Sequence, residues 1–372
     1  MTGKGVNSRT RGSAVGVLLV GLAMIGCGRG GPGLAVASLP VARPDTGAAG
    51  PVATEVWRRD VGPSVFAAPR LEGGVVVVAT GKGDVIALSP ETGGRLWARG
   101  LGGPVRGFAV VGDRVYAATD RRGGKVAALA LRDGRELWAR QVGAVAYTPL
   151  VAGDVVVVAA DSGTVTALDA ATGAVRWSAR LAGSIAAPPA AADGAVLVAT
   201  RADTLYHLEP ASGAILARTP LPARVSAALV ARGDVMLVPL YTGEVAGFDP
   251  AARVIRWRAE VGAPVLAAPV VAHDGDAYVL TEEATIWRIP AGSGAAEGVV
   301  ELGGAALGAL TLAGEQLIVG RLDGALIGLA LDGSVLWRTR LGDSIVAPPA
   351  ADGRGVVTAL RRGTIARVEV RR

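Results

Sequence analysis

ALDAATGAVRW, Ala167–Trp177, is the stretch from which the fold can be read. Small and apolar residues stop at Asp169, a Thr172-Gly173 pair follows, and Trp177 stands four residues beyond the glycine. A Thr-Gly pair between two β-rich runs marks a turn joining two strands, with glycine supplying the positive φ that such a turn needs. Trp177 carries about 150–250 Å² of surface, more than a lone hairpin can bury. Other parts of the chain must cover it.

Outward from this stretch the pattern recurs about every 40 residues. Tryptophan stands at Trp57, Trp97, Trp138, Trp177, Trp257 and Trp337, with Ala217 and Gly298 in the two remaining places. The turn glycine comes four residues earlier, at Gly93, Gly134, Gly173, Gly213, Gly294 and Gly333, and Arg253 replaces it once. A second marker keeps a spacing of 40 throughout: Val65, Val105, Val145, Ile185, Val225, Val265, Ala305 and Ile345. Proline follows it four residues later at Pro69, Pro149, Pro189, Pro269 and Pro349. These markers define eight units, and a period of this length signals a repeat architecture.

Within the third unit, AYTPLVA, VVVVAA, TVTALD and AVRWSARL are separated by turns at Gly153-Asp154, Asp161-Ser162-Gly163 and Thr172-Gly173. Four strands of 4 to 7 residues with Gly and Asp turns describe an antiparallel meander. No segment sustains a helical period. The expected fold is therefore all-β: an eight-bladed β-propeller of four-stranded antiparallel blades over residues 54–372. The two ends complement each other. TEVWRRDV (Thr54–Val61) matches an outer strand without the three before it, while IVAPPAA, GVVTAL and TIARVEV near residues 345–370 are three strands without a fourth. The eighth blade is expected to be closed by the N-terminal outer strand, which leaves no exposed edge. The tryptophans should fill the gaps between blades. The acidic position before the turn (Asp169, Glu209, Asp249, Glu369) should accept bonds from turn amides, while Ser89, Ala130, Pro290 and Ala330 occupy it elsewhere.

The chain has 372 residues, 51% of them hydrophobic, and a formal charge of +6. Its mean hydropathy of +0.42 comes from short Ala, Val and Leu runs broken by Gly, Asp or Arg. Beyond the N-terminus no run reaches the about 20 apolar residues of a membrane helix. Lysine occurs only at Lys4, Lys82 and Lys125, and arginines are scattered without the basic clusters and interleaved aromatics of a nucleic-acid groove. No nucleic-acid partner is expected. Residues 1–26 have a signal-peptide layout: Lys4, Arg9 and Arg11, then AVGVLLVGLAMIG (Ala14–Gly26), then the single cysteine, Cys27. MIGC resembles a bacterial lipobox, which implies acylation of Cys27 as a membrane anchor. With Gly28 next, the terminus is similar to enterobacterial lipoproteins of the outer membrane, which implies the periplasmic face of that membrane. Residues 27–53, rich in Gly, Pro and Ala, are expected to form a flexible tether spanning about 25–30 Å.

The Ala-x-Asp-x-x-x-Gly-x-x-x-Trp motif, carried over residues 54–372, resembles the PQQ-like eight-bladed propeller family. One branch, the quinoprotein dehydrogenases, adds a Ca²⁺ site with Glu, Asn and Asp ligands and an adjacent-cysteine disulfide. Here the propeller segment has no cysteine and the only asparagine is Asn7. The other branch, the BamB-like lipoproteins of outer-membrane β-barrel assembly, is similar in lipobox, tether, blade length and shared eighth blade. That resemblance implies a monomeric, non-enzymatic scaffold without cofactor or metal; the alternative is another anchored PQQ-like propeller that binds a protein or a cell-wall polymer, with a PQQ-dependent dehydrogenase behind it. Such a scaffold docks on periplasmic domains of the barrel-assembly subunit through loops joining an outer strand to the next inner strand. One family loop carries Leu-x-Leu-Arg, and LPAR (Leu221–Arg224) keeps Leu221 and Arg224 with Ala223 between them. Another carries Asp-x-Asp, where this chain reads GAPVLAAP and GGAALGAL.

No catalytic acid, base, nucleophile or metal cluster emerges. His207 and His273 stand apart, HDGD (His273–Asp276) reads as a turn, and DRRGGK (Asp120–Lys125) and RRG (Arg361–Gly363) read as solvated turn tips. Arg106, Tyr147 and Arg224 interrupt Ala- and Val-rich approaches to inner strands, and Arg and Tyr are favoured interface anchors. With Leu221 they are the candidate partner-binding residues.

Overall fold

The computed structural model describes residues 53–306 and 309–370. The expected signal segment, Cys27 and the expected tether up to residue 52 lie outside the described residues. Within them, 32 strands form eight four-stranded antiparallel sheets. Blade 3 is typical: Leu150–Ala152, Val155–Ala159, Thr164–Asp169 and Val175–Arg180, from the axis outward. In blade 8, Ala350–Ala351, Gly355–Leu360 and Thr364–Val370 are completed by Ala53–Asp60. That strand pairs from Ala53 opposite Val370 to Asp60 opposite Thr364, and the inner strands of blades 8 and 1 touch, so the ring closes.

The hydrophobic pattern follows from blade stacking. The middle strands are buried on both faces, as in the VVVVA of Val155–Ala159, because each sheet lies between two others. Outer strands are largely exposed, and Arg95–Gly100 buries only Trp97. The core is accordingly eight clusters, one at each seam, rather than a single centre. Most inner strands are shorter than the 4 to 7 residues expected. Six of them have 2 or 3 residues, Leu310–Ala313 has 4, and only Val105–Val111 in blade 2 reaches 7. In five blades a proline, Pro69 or its equivalent, directly precedes the short strand and lacks the N–H a ladder needs. Blade 2 carries Ala109 there and pairs through.

Five of the six repeat tryptophans cover the turn glycine of the following blade, 35 to 37 residues on, rather than the glycine four residues before it: Trp57 lies against Gly93, Trp97 against Gly134, Trp138 against Gly173, Trp177 against Gly213 and Trp257 against Gly294. The indole N–H also donates across the seam, from Trp57 to Pro90 O (2.7 Å), Trp97 to Leu131 O (2.8 Å), Trp138 to Ala170 O (3.0 Å) and Trp177 to Pro210 O (2.7 Å). Trp337 instead bonds Gln316 Oε1 in its own blade at 3.3 Å, and Gly333 lies against Val299 and Val300. Arg59, Arg99 and Arg140, two residues past the tryptophan, donate Nε to the carbonyls of the same glycines at 2.9, 3.0 and 2.8 Å. This Trp-x-Arg signal was present in the sequence and carried no expectation.

Two turn positions depart from the glycine rule. Gly294 is not in the left-handed region; Gly292 takes that conformation at φ +71, and Gly294 is needed because any Cβ would strike Trp257. Arg253 adopts φ +61 despite its side chain. It has room because the tryptophan that would cover it is replaced by Ala217. The polar position before the turn works by reach. Asp169 Oδ1 accepts from the amides of Ala171 (3.1 Å) and Thr172 (2.9 Å), Asp249 Oδ1 from Ala252 (2.8 Å) and Ser89 Oγ from Thr92 (3.2 Å). Arg176 and then Thr172 hold the Asp169 carboxyl well below the usual carboxylate range. The longer Glu209 bonds the Ser212 hydroxyl instead, and Glu369 bonds Arg367.

Candidate docking face

Loops from each outer strand to the next inner strand share one face with the turns between second and third strands. Two sets of backbone bonds fix them. In every blade the first residue of that turn donates its N–H to the incoming loop: Gly81 to Ser64 (2.9 Å), Asp120 to Pro104 (2.7 Å), Asp161 to Ala144 (2.8 Å) and Tyr241 to Arg224 (3.0 Å) are four of the eight. In every blade, too, the residue just after the outer strand donates to the turn, as in Leu101 to Gly83 O (2.7 Å), Leu181 to Gly163 O (2.8 Å) and Leu221 to Asp203 O (2.8 Å). Because both sets use main-chain groups, the face keeps its geometry while its side chains vary.

This second set corrects one expectation. Leu221 is only 7% exposed and packs in the seam between blades 4 and 5 with Ala187, Val225 and Leu229, so it cannot present itself to a partner. Its counterparts Leu101, Leu181 and Leu341 are buried in the same way. Tyr147 is half-buried, packs against the seam of blades 3 and 4 and donates its hydroxyl to Ala186 O at 2.9 Å, which ties two blades together.

Arg106 and Arg224 are exposed and each lies over an aromatic ring: Arg106 is 4.8 Å from the centroid of Phe66, and Arg224 is 4.1 Å from that of Tyr241. Phe66 and Tyr241 are themselves 46% and 43% exposed, among the few large side chains left uncovered. Arg106 also pairs with Asp120. Burial, with Asp120 nearby, pushes the Asp161 carboxyl up. Lys82, Arg121, Arg122, Arg361 and Arg362 project from the turns of blades 1, 2 and 8, giving that sector of the face an excess of cations. The aromatic partners Phe66 and Tyr241 were missed in the sequence because an isolated aromatic in a repeat reads as core.

The other singled-out groups lie elsewhere. His207 is buried in blade 4, beside Phe248 at 5.4 Å between ring centroids, and burial pushes its pKa down. His273 is exposed in a turn between strands. Among the described residues no cluster of His, Cys, Asp and Glu could hold a metal ion.

Solved structures with this architecture include BamB from Moraxella catarrhalis, 19% identical, covering 86% of this chain and 98% of that one with a TM-score of 0.70. A computationally designed protein, Ika8, is 17% identical, with coverage of 87% and 100% and a TM-score of 0.73. The quinohemoprotein alcohol dehydrogenase of Comamonas testosteroni is 14% identical, with coverage of 85% and 76% and a TM-score of 0.67. At such identities the likeness establishes the fold alone. A comparison with curated proteins finds no match to the chain. Matched over residues 51–184, 161–250, 204–299 and 241–371, which together span all eight blades, the chain belongs to the family described as outer membrane protein assembly factor BamB.

Proposed function

We propose that this chain is a non-enzymatic scaffold of outer-membrane β-barrel assembly. In this reading Cys27, acylated, holds it at the periplasmic face of the outer membrane, and the propeller docks on periplasmic domains of the barrel-assembly subunit. The family match along all eight blades carries the reading. The docking face supports it, since main-chain bonds make it rigid and Arg106 with Phe66 and Arg224 with Tyr241 supply exposed cation–aromatic anchors.

Cross-linking in native membranes followed by purification should recover a β-barrel assembly subunit. Arg106→Ala combined with Arg224→Ala should weaken that recovery about tenfold or more while lowering the unfolding temperature only slightly. Repeated recovery of a different partner, untouched by these substitutions, would overturn the assignment. A separate fractionation tests the anchor: Cys27→Ala should move the protein from the membrane to the soluble fraction, and continued membrane association would refute lipidation at that residue.

A further inference from the structure

Inner-strand residues of blades 6, 7, 8, 1 and 2 line an axial cavity of about 710 Å³ that is open to solvent. Two of the residues lining it are charged, Arg70 and Glu72, both from blade 1. At the spacing of 40 residues, the other blades place Val110, Leu150, Ala190, Val230, Val270, Leu310 and Ala350 where blade 1 has Arg70. Seven blades therefore close the ring with an apolar side chain there, and the fold has no need of a cation.

Arg70 has no local partner. Water reaches its side chain, but among the described residues it makes no hydrogen bond or ion pair. Glu72, two residues on and on the same face of the strand, does not pair with it. Crowding by the surrounding strands pushes the guanidinium below its ordinary pKa, and no acid acts against that shift. A planar fork with five donors thus faces the cavity with no protein group to accept its bonds, only water. A carboxylate matches that fork in geometry and charge, and Glu72 disfavours ligands carrying a second negative charge.

We infer that the axial cavity binds a monocarboxylate with an apolar body, its carboxylate held bidentately by Arg70 and its body against the inner strands. Two sources carry this chemistry: a free organic acid and the C-terminus of an apolar peptide. The site lies on the inner strands, and the inference does not rest on the assembly role.

Calorimetric titration of the full chain tests it with sub-micellar octanoate, octanol, inorganic phosphate, and an apolar tetrapeptide as free acid and as C-terminal amide. Octanoate or the free-acid peptide should bind about tenfold or more tightly than its neutral counterpart, and Arg70→Val should abolish that difference. Because Arg70 makes no internal bond, Arg70→Val should unfold at or above the wild-type temperature. Binding of octanoate alone assigns a free acid, and binding of the peptide alone assigns a chain terminus. The inference is overturned if neither carboxylate binds, if Arg70→Val binds them equally well, if phosphate competes as well as octanoate, or if Arg70→Val lowers the unfolding temperature.

Discussion

Gly173→Ala is expected to lower unfolding free energy by about 3 kcal/mol, and most of that loss should vanish when Trp138 is also replaced by Ala. Two effects combine at Gly173. Its φ of +68 is strained for any residue with a Cβ, which costs about 1 kcal/mol. The added Cβ would also lie 2.5 Å from the Trp138 ring, and forcing a buried indole aside costs about 1–3 kcal/mol more. Trp138→Ala alone should cost about 3–5 kcal/mol, because it empties a seam position that is 8% exposed and removes the bond to Ala170 O. In that background only the backbone strain remains, so adding Gly173→Ala should cost about 1 kcal/mol. Urea unfolding of the four proteins measures the coupling. The chain contains the doubly changed arrangement already, since Ala217 stands where the tryptophan would cover Arg253 at φ +61. Additive losses at Gly173 and Trp138 would show that the two residues do not share a seam.

The second large effect concerns the blade that closes the ring. Arg367 is 3% exposed, and its guanidinium meets Asp352 at 2.9 and 3.3 Å, with Glu369 at 3.5 Å. It sits on the strand that pairs with Ala53–Asp60, opposite Trp57. Asp352→Ala leaves this buried charge without its principal partner and should cost about 3–5 kcal/mol. Arg367→Met should cost far less, and Arg367→Met with Asp352→Ala should recover most of the loss, because neither charge then remains to be solvated. If Asp352→Ala unfolds at the wild-type urea midpoint, the pair does not hold the closing blade.

The same pair gives a pH dependence of defined sign. Burial acts to raise the Asp352 pKa, but the bonds from Arg367 and from the amides of Gly355 and Arg354 outweigh it, and the net shift is downward. A carboxyl depressed in the folded state contributes stability above its unfolded pKa, about 3.9, and loses it as pH falls through the folded value. Thermal melts taken from pH 7 to pH 3 should therefore fall more steeply for the wild type than for Asp352→Ala.

The sequence by itself determined the eight units, their four strands and the closure of the last blade by Ala53–Asp60. The units and strands depend on turn residues and β-rich runs that lie close along the chain, a local message repeated eight times with a period near 40, and the closure was legible because the two ends carry complementary parts of one unit. Tertiary structure decided what meets across a seam. Trp138 lies four residues from Gly134 in sequence, yet it rests on Gly173, because the outer strand of one blade packs on the turn of the next. The same stacking buries Leu221, which the LPAR motif presented as a docking residue, and leaves Phe66 and Tyr241 uncovered beneath Arg106 and Arg224. It also turns Arg70, one charge in an ordinary short strand, toward the axis of the ring. Spacing along a chain sets which residues share a blade face, whereas the partner of that face is set by ring closure, which no single repeat encodes.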